Sequence, residues 1–303
     1  MKTMRWLITT VALCVMAMVC VSCSEVAITG RSQLNLIPDS TMNDMAYQEY
    51  QQFLKENKKS ANTANTAMVQ RVGLKISDAV ERYCRQNGLA DRVAGYHWEF
   101  TLIESKEINA WAMPGGKVVI YTGILPVTKD ETGLAVVMSH EIAHVIARHG
   151  NERMSQGLLV EMGGMALSEA TASKPAATRD LFMRSYGIGA NVGVLLPYSR
   201  MQESEADRMG LIFMAIADYN PQVAVEFWQR MANQPGNNQK PPEFLSTHPA
   251  DDTRIAGIRS YLPEAMYYYH PQGQANQPNQ PAPVNPPQQP QPQQDNSWKS
   301  IIQ

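Results

Sequence analysis

The sequence is poor in cysteine: there are four among 303 residues, and Cys14, Cys20 and Cys23 all lie close to the start. Cys84 alone remains for the body of the chain, which excludes a disulfide-stapled scaffold and leaves the fold to rest on packing. Charge of one sign is lacking as well. Acids number 28 and bases 26, interspersed, for a net charge of -2, so there is neither a basic surface suited to nucleic acid nor a polybasic membrane patch. No internal repeat is present, and beyond the N-terminal segment no apolar run reaches the roughly 20 residues that span a bilayer.

What the sequence does have begins with that segment. Lys2 and Arg5 precede an apolar stretch from Trp6 to about Val21 that ends in Ser22-Cys23-Ser24, the pattern of a secretory signal over residues 1–22. A cysteine directly after a small residue at this point resembles a lipoprotein processing site, so Cys23 is expected to become a lipidated first residue, with Cys20 the alternative. The chain is therefore expected to be exported and lipid-anchored in a bacterial cell envelope, at the periplasmic face of an outer membrane. Residues 271–303 are almost entirely Gln, Pro and Asn, a composition that cannot bury enough apolar surface to order itself. Residues 23–270 remain as one catalytic-size domain.

Within it, Asp39 or Ser40 is positioned to cap a helix running through Met45 to Lys58, and Met68, Val72, Ile76 and Val80 line one face of a second helix from about Ala67 to Gln86. Aromatic and β-branched residues from Trp98 to Ile103, with Ala110–Met113 and Val118–Tyr121 around Pro114-Gly115-Gly116, predict a small sheet with a hairpin. Thr128 and Glu131 have capping-box spacing ahead of an apolar helix, Leu134 to Arg148, that is expected to stop at Gly150. Helical periodicity continues to about Ala170 and breaks at Lys174-Pro175, and a Gly-rich apolar stretch, Tyr186 to Leu196, follows. Helices from about Ser199 to Ala217 and from Asn220-Pro221 to near Asn233 complete an α+β, mostly helical chain. Cys84 reads as a half-buried helix residue.

The chemistry resides in His140-Glu141-Ile142-Ala143-His144. Residues four apart stack on one helix face, so both imidazoles reach one metal ion, with Glu141 beside them. Zinc takes imidazole nitrogen readily and keeps a position open for water, whose pKa it lowers towards neutrality. A carboxylate to complete the set is offered by Glu203-Ser204-Glu205-Ala206-Asp207, where Glu203 and Asp207, one turn apart, supply a third ligand and a partner that orients a ligand histidine. Glu205 reads as solvated, because helix neighbours point apart, and His149 as a residue facing a helix dipole.

These motifs resemble the HtpX-like and CAAX-prenyl-protease-type zinc endopeptidases, in particular their soluble bacterial lipoprotein branch, from Thr29 to about Leu262. The resemblance implies a zincin-like fold, with the hairpin edging the active-site helix, and one zinc ion per chain. Ser199-Arg200-Met201-Gln202-Glu203-Ser204-Glu205-Ala206-Asp207 matches the family's second motif, making Glu203 the expected third ligand and Asp207 its neighbour in support. Asn109-Ala110-Trp111-Ala112-Met113 corresponds to an edge strand that pairs with extended substrate. His248-Pro249-Ala250-Asp251-Asp252-Thr253-Arg254 matches a late element whose His248 and Arg254 face the tetrahedral intermediate. Unlike integral members, this chain has no series of spanning helices, so exposed polypeptide is the expected substrate.

The implied reaction is peptide-bond hydrolysis: Glu141 takes a proton from the attacking water and passes it to the leaving amine, and His248 and Arg254 hold the developing negative charge. Misfolded or extended envelope proteins are the expected substrates, with envelope protein partners. Two other classes compete, a lipid-anchored chaperone or assembly factor with little proteolytic activity and a structural envelope protein stabilised by metal. Glu141 favours the enzyme, since binding or stability has no use for a general base beside the histidines.

Overall fold

A computed structural model describes residues 23–163, 165–188, 199–234 and 242–270. The signal segment, the Gly-rich stretch beyond Ile188 and the Pro/Gln tail lie outside the described residues. Thr29 to Leu34, which reads as a polar lead, is built instead into a two-stranded ribbon: β1 (Cys23–Glu25) pairs antiparallel with β2 (Ser32–Leu34). The ribbon is anchored, because the buried Gln33 amide donates to the Ala147 carbonyl at 2.7 Å and Val26 and Ala27 enter the core.

Helix α1 (Asp39–Glu56) buries Met42, Ala46, Tyr50 and Phe53 along one face, and α2 (Thr63–Gln86) buries Val69, Val72, Ile76 and Val80. The second helix starts a turn earlier than its apolar pattern suggests because the Asn62 side chain accepts from the Asn65 amide at 3.0 Å. Cys84, near its end, is fully buried rather than half-buried.

The sheet has the order β3 (Glu99–Ile103), β5 (Lys117–Tyr121), β4 (Ala110–Met113), with β3 parallel and β4 antiparallel to β5. Gly115 and Gly116, at φ 73° and 80°, make the hairpin turn that side-chain-bearing residues resist. In β4, Ala110 and Ala112 join one core cluster while Trp111 and Met113 join another with Phe53 and Tyr186, the alternation expected of a strand.

A short α3 (Leu125–Thr128) precedes α4 (Glu131–Ile146), whose residues from Gly133 onward are all buried. The expected Thr128 capping box is not used. Thr128 ends α3, Lys129 turns at φ 70°, and Asp130 caps α4 by accepting from the Gly133 amide at 2.9 Å. At the far end the chain turns at Arg148, in the left-handed conformation at φ 61°, and Gly150 lies inside α5 (His149–Val160) against the Tyr186 ring. An ion pair from Arg148 to Asp39 accompanies that turn.

Helices α6 (Leu167–Ser173), α7 (Pro175–Ser185), α8 (Arg200–Ile216) and α9 (Val223–Ala232) follow. Ser199 and Gln202 form a reciprocal capping box that starts α8. Asn220 does not cap α9; its side chain accepts from the Gln222 amide in the preceding turn. Then come α10 (Glu243–Thr247) and α11 (Asp252–Tyr267), the latter capped by Asp251 accepting from the Arg254 amide at 2.8 Å. Helices α4 and α8 cross closely at Gly210, where a Cβ would stand 3.1 Å from the His140 nitrogen. Among the described residues no helix is long and apolar enough to cross a membrane.

Candidate metal centre

Four of the chain's six histidines converge at this crossing. His140 and His144 project from one face of α4, Glu203 comes from the first turn of α8, and His248 from the residue after α10. One donor atom from each lies within 4.8 Å of the others, and all four residues are buried. His140 Nε2 is 3.1 Å from His144 Nε2 and 3.2 Å from His248 Nδ1, and Glu203 Oε1 is 2.9 Å from His248 Nδ1 and 3.3 Å from His144 Nε2.

Donors about 2.0–2.1 Å from a tetrahedral zinc ion stand about 3.3 Å apart. The observed separations scatter around that edge length, so the donor set fits zinc in both size and chemistry. Charge agrees with geometry. Burial opposes a proton on His140, yet Asp207 and Glu203 hold its pKa up at about 9, so their negative field is one that a dication would satisfy. Glu203 is pushed up by burial but held well below the usual carboxylate range by His248 and Arg254, leaving it in the ligating form.

Each donor is braced from behind. Asp207 Oδ1 lies 3.0 Å from His140 Nδ1, and the Arg254 guanidinium grips Asp207 with two hydrogen bonds of 2.8 Å while pairing with Glu203 Oε2 at 2.8 Å. Arg254 also stacks on Trp228, 3.3 Å from the ring centroid. In this arrangement Arg254 holds carboxylates, and His248 stands inside the donor set, with its Nε2 3.4 Å from Glu141 Oε1. The family resemblance implies that both side chains also face the tetrahedral intermediate. Glu141 is 3% exposed and, apart from the His248 contact, its Oε1 has no hydrogen-bond partner among the described residues; burial raises its pKa. Asn109 is buried and its side chain accepts from the Ala110 amide at 2.8 Å. Ala110, Trp111, Ala112 and Met113 form the sheet's edge strand beside α4, and none is more than 5% exposed.

Two expectations are corrected. Glu205 is buried, at 3% exposure, not solvated, because α8 is covered on that side by the N-terminal ribbon. His149 opens α5 rather than facing the end of α4, and its two ring nitrogens lie 2.9 Å from His144 Nδ1 and 3.0 Å from Glu205 Oε2. Glu205 in turn accepts from Thr29 at 2.9 Å and from Arg31 at 2.9 and 3.0 Å. Arg31 also clasps Glu152, and Gln202 donates to the same carboxylate at 2.8 Å. Burial alone would raise the Glu205 carboxyl, but His149 and Arg31 lower it to about 2. Arg31, Glu152, Gln202 and Trp228 are thus parts of the site's support that no local motif announces.

Comparison with known proteins agrees with this geometry. The chain is 37% identical over 193 residues to the mitochondrial metalloendopeptidase OMA1 of Schizosaccharomyces pombe, an alignment covering 64% of this chain and 54% of that protein. It is 33% identical over 208 residues to the Saccharomyces cerevisiae protein of the same name, covering 66% and 57%. The beta-barrel assembly-enhancing protease of Yersinia pestis is 32% identical over 167 residues, covering 54% of this chain and 34% of that protein. The chain thus spans little more than half the length of these two fungal relatives and about a third of that of the Yersinia pestis protein. Residues 70–262, which hold both helices of the crossing and every donor of the cluster, match peptidase family M48 throughout, and the chain belongs to that family.

Proposed function

We propose that the protein is a zinc-dependent endopeptidase that cuts extended or misfolded polypeptides in a bacterial cell envelope, to which lipid on Cys23 anchors it. One observation carries the reading: a buried donor set of zinc dimensions beside a carboxylate, Glu141, that contributes no donor to that set and whose Oε1 faces His248 Nε2 at 3.4 Å. A bound zinc ion supplies a Lewis acid and lowers the pKa of water towards neutrality. Glu141 Oε1 takes the proton of the attacking water and returns it to the leaving amine, and its raised pKa suits both transfers. His140, His144 and Glu203 are the permanent ligands. Asp207 orients His140, and Arg254 keeps Glu203 and Asp207 in place.

With His248 included, the donor set numbers four, the closed form of a zinc site, whereas catalysis needs one position open. Of the four residues, His248 alone stands outside the two crossing helices, so a position kept open for water on a bound zinc ion would be the one His248 faces. From there its imidazole is placed to meet negative charge developing beside Glu141. A substrate pairs with β4, the edge strand of the sheet, through main-chain hydrogen bonds at Asn109–Met113. The beta-barrel assembly named for the Yersinia pestis relative supports envelope proteins as substrates or partners. The test is zinc content together with cleavage of an unfolded protein. One zinc per chain with chelator-sensitive cleavage supports the proposal, and zinc without cleavage at any protein concentration rejects it.

A further inference from the structure

The ribbon of β1 and β2 precedes residues 70–262, the part of the chain that matches the family, yet a continuous line of polar contacts joins it to the metal donors. His144 enters the donor set through Nε2, so its ring hydrogen sits on Nδ1, which faces His149 Nδ1 at 2.9 Å. His149 Nδ1 must therefore accept, which leaves the hydrogen of that ring on Nε2, donated to Glu205 Oε2 at 3.0 Å. Each imidazole thus has its tautomer fixed by the group behind it, which is how a carboxylate aims a metal-ligating histidine. Here the carboxylate acts through a second histidine, and His149 is fully buried.

Glu205 is held from outside α8. Thr29 Oγ1 donates to it at 2.9 Å and the Arg31 guanidinium at 2.9 and 3.0 Å, and both residues lie in the turn between β1 and β2. Arg31 also makes a two-pronged pair with Glu152 of α5, at 2.7 and 2.8 Å. One guanidinium therefore serves two carboxylates that are 3% and 6% exposed, and a lifted ribbon leaves both without their cation, which is strongly destabilising in a buried setting. The ribbon's own seat is separate from this line. Gln33 donates to the Ala147 carbonyl, the Leu36 amide donates to Ser155 Oγ, and Val26 and Ala27 enter the core.

We propose that the ribbon is a working part of the metal centre, with Arg31 a positioning residue that acts through Glu205 and His149 on His144, so that ribbon seating and zinc binding are one coupled equilibrium. The inference rests on the zinc reading of the donor set and does not require cleavage. With the ribbon seated, Glu205 is fixed, His149 is aimed by it, and His144 presents Nε2 in one orientation. With the ribbon lifted, Glu205 loses Thr29 and Arg31, His149 loses a fixed acceptor, and the His144 ring gains freedom to turn away. Coupling of this kind is reciprocal: the factor by which a seated ribbon raises zinc affinity is the factor by which zinc favours the seated ribbon.

The test is hydrogen exchange across residues 24–37, read by mass spectrometry on zinc-free and zinc-saturated protein, together with zinc affinity by chelator competition. In wild type, zinc is expected to slow exchange in the ribbon at least about tenfold; in His149→Leu that protection is expected to vanish, although the ribbon's own contacts are untouched. Arg31→Ala and His149→Leu are each expected to lower zinc affinity about 10–100-fold, and the double variant to lose no more than the larger single loss, because both cut the same line. Thr29→Val, which removes only a hydroxyl that donates to Glu205, is expected to move both readouts the same way by less and covers the case in which either larger change fails to fold. Zinc binding that leaves ribbon exchange unchanged, or losses that add in the double variant, overturns the coupling and leaves the zinc site intact. A protein that takes up no zinc overturns the coupling and the endopeptidase reading together.

Discussion

His149 Nε2 lies 3.0 Å from Glu205 Oε2, and through this contact the N-terminal ribbon reaches the metal donors: Arg31 holds Glu205, Glu205 holds His149, and His149 holds His144. Groups that orient a ligand histidine typically change metal affinity 10–100-fold when removed. Glu205→Gln is expected to weaken zinc binding by about that factor, measured by competition with a chromogenic chelator. Arg31→Ala should act in the same direction and Arg31→Lys should restore part of the loss. Unchanged affinity in Glu205→Gln contradicts the arrangement.

Gly210→Ala should disturb the α4–α8 crossing. The added methyl would stand 3.1 Å from the His140 nitrogen and 3.2 Å from its Cα, both main-chain atoms that cannot swing away. Overpacking of this kind costs about 1–3 kcal/mol. Denaturant unfolding should show that loss, and zinc should dissociate faster because Glu203 and His140 sit on the two helices pushed apart.

The buried Cys84 thiol is raised to about 11 by burial. In a chain beginning at Ser24 it is the only thiol, and it should react with a thiol reagent at neutral pH only as the protein unfolds. Reaction at the rate of a free thiol under native conditions contradicts its place in the core.

Glu243 has its pKa raised to about 7 by burial and by Glu107. The folded chain thus binds this proton more tightly than the unfolded one, whose reference value is 4.5. The contribution is present at low pH and is lost as pH rises from the unfolded value through about 7. Melting temperature should fall between pH 5 and 8 by less in Glu243→Gln than in wild type; identical slopes contradict the assignment.

How much of this was legible in the sequence depends on how local each feature is. His140, Glu141 and His144 sit within one turn and a half of helix, and Glu203 and Asp207 within another, so periodicity alone aligns them. The crossing that joins the two helices depends on Gly210, which no helix pattern distinguishes from a weak spot. Glu205 reads as solvated because its neighbours on the helix point elsewhere, but it is buried by a ribbon 174 residues away in sequence at Arg31. The chain turns before the expected stop at Gly150 because Arg148 takes the left-handed conformation usually left to glycine. Helix α11 carries few apolar residues in register, and its start depends on Asp251, a cap hidden within the His248–Arg254 motif.

His248 joins the other three donors in the metal set. His248→Ala should therefore release zinc to a chelator faster than wild type, since four protein ligands become three. Equal release rates would show that His248 stands outside the coordination sphere.

In the proposed reaction Glu141 serves the chemistry and not the metal, and the Glu141→Ala protein tests that role most directly. Zinc content and cleavage of an unfolded protein are to be measured on the same sample. One zinc ion per chain, as in wild type, is expected, with cleavage lowered by at least about a hundredfold. A variant that cleaves at the wild-type rate, or one that loses its zinc along with its activity, contradicts it.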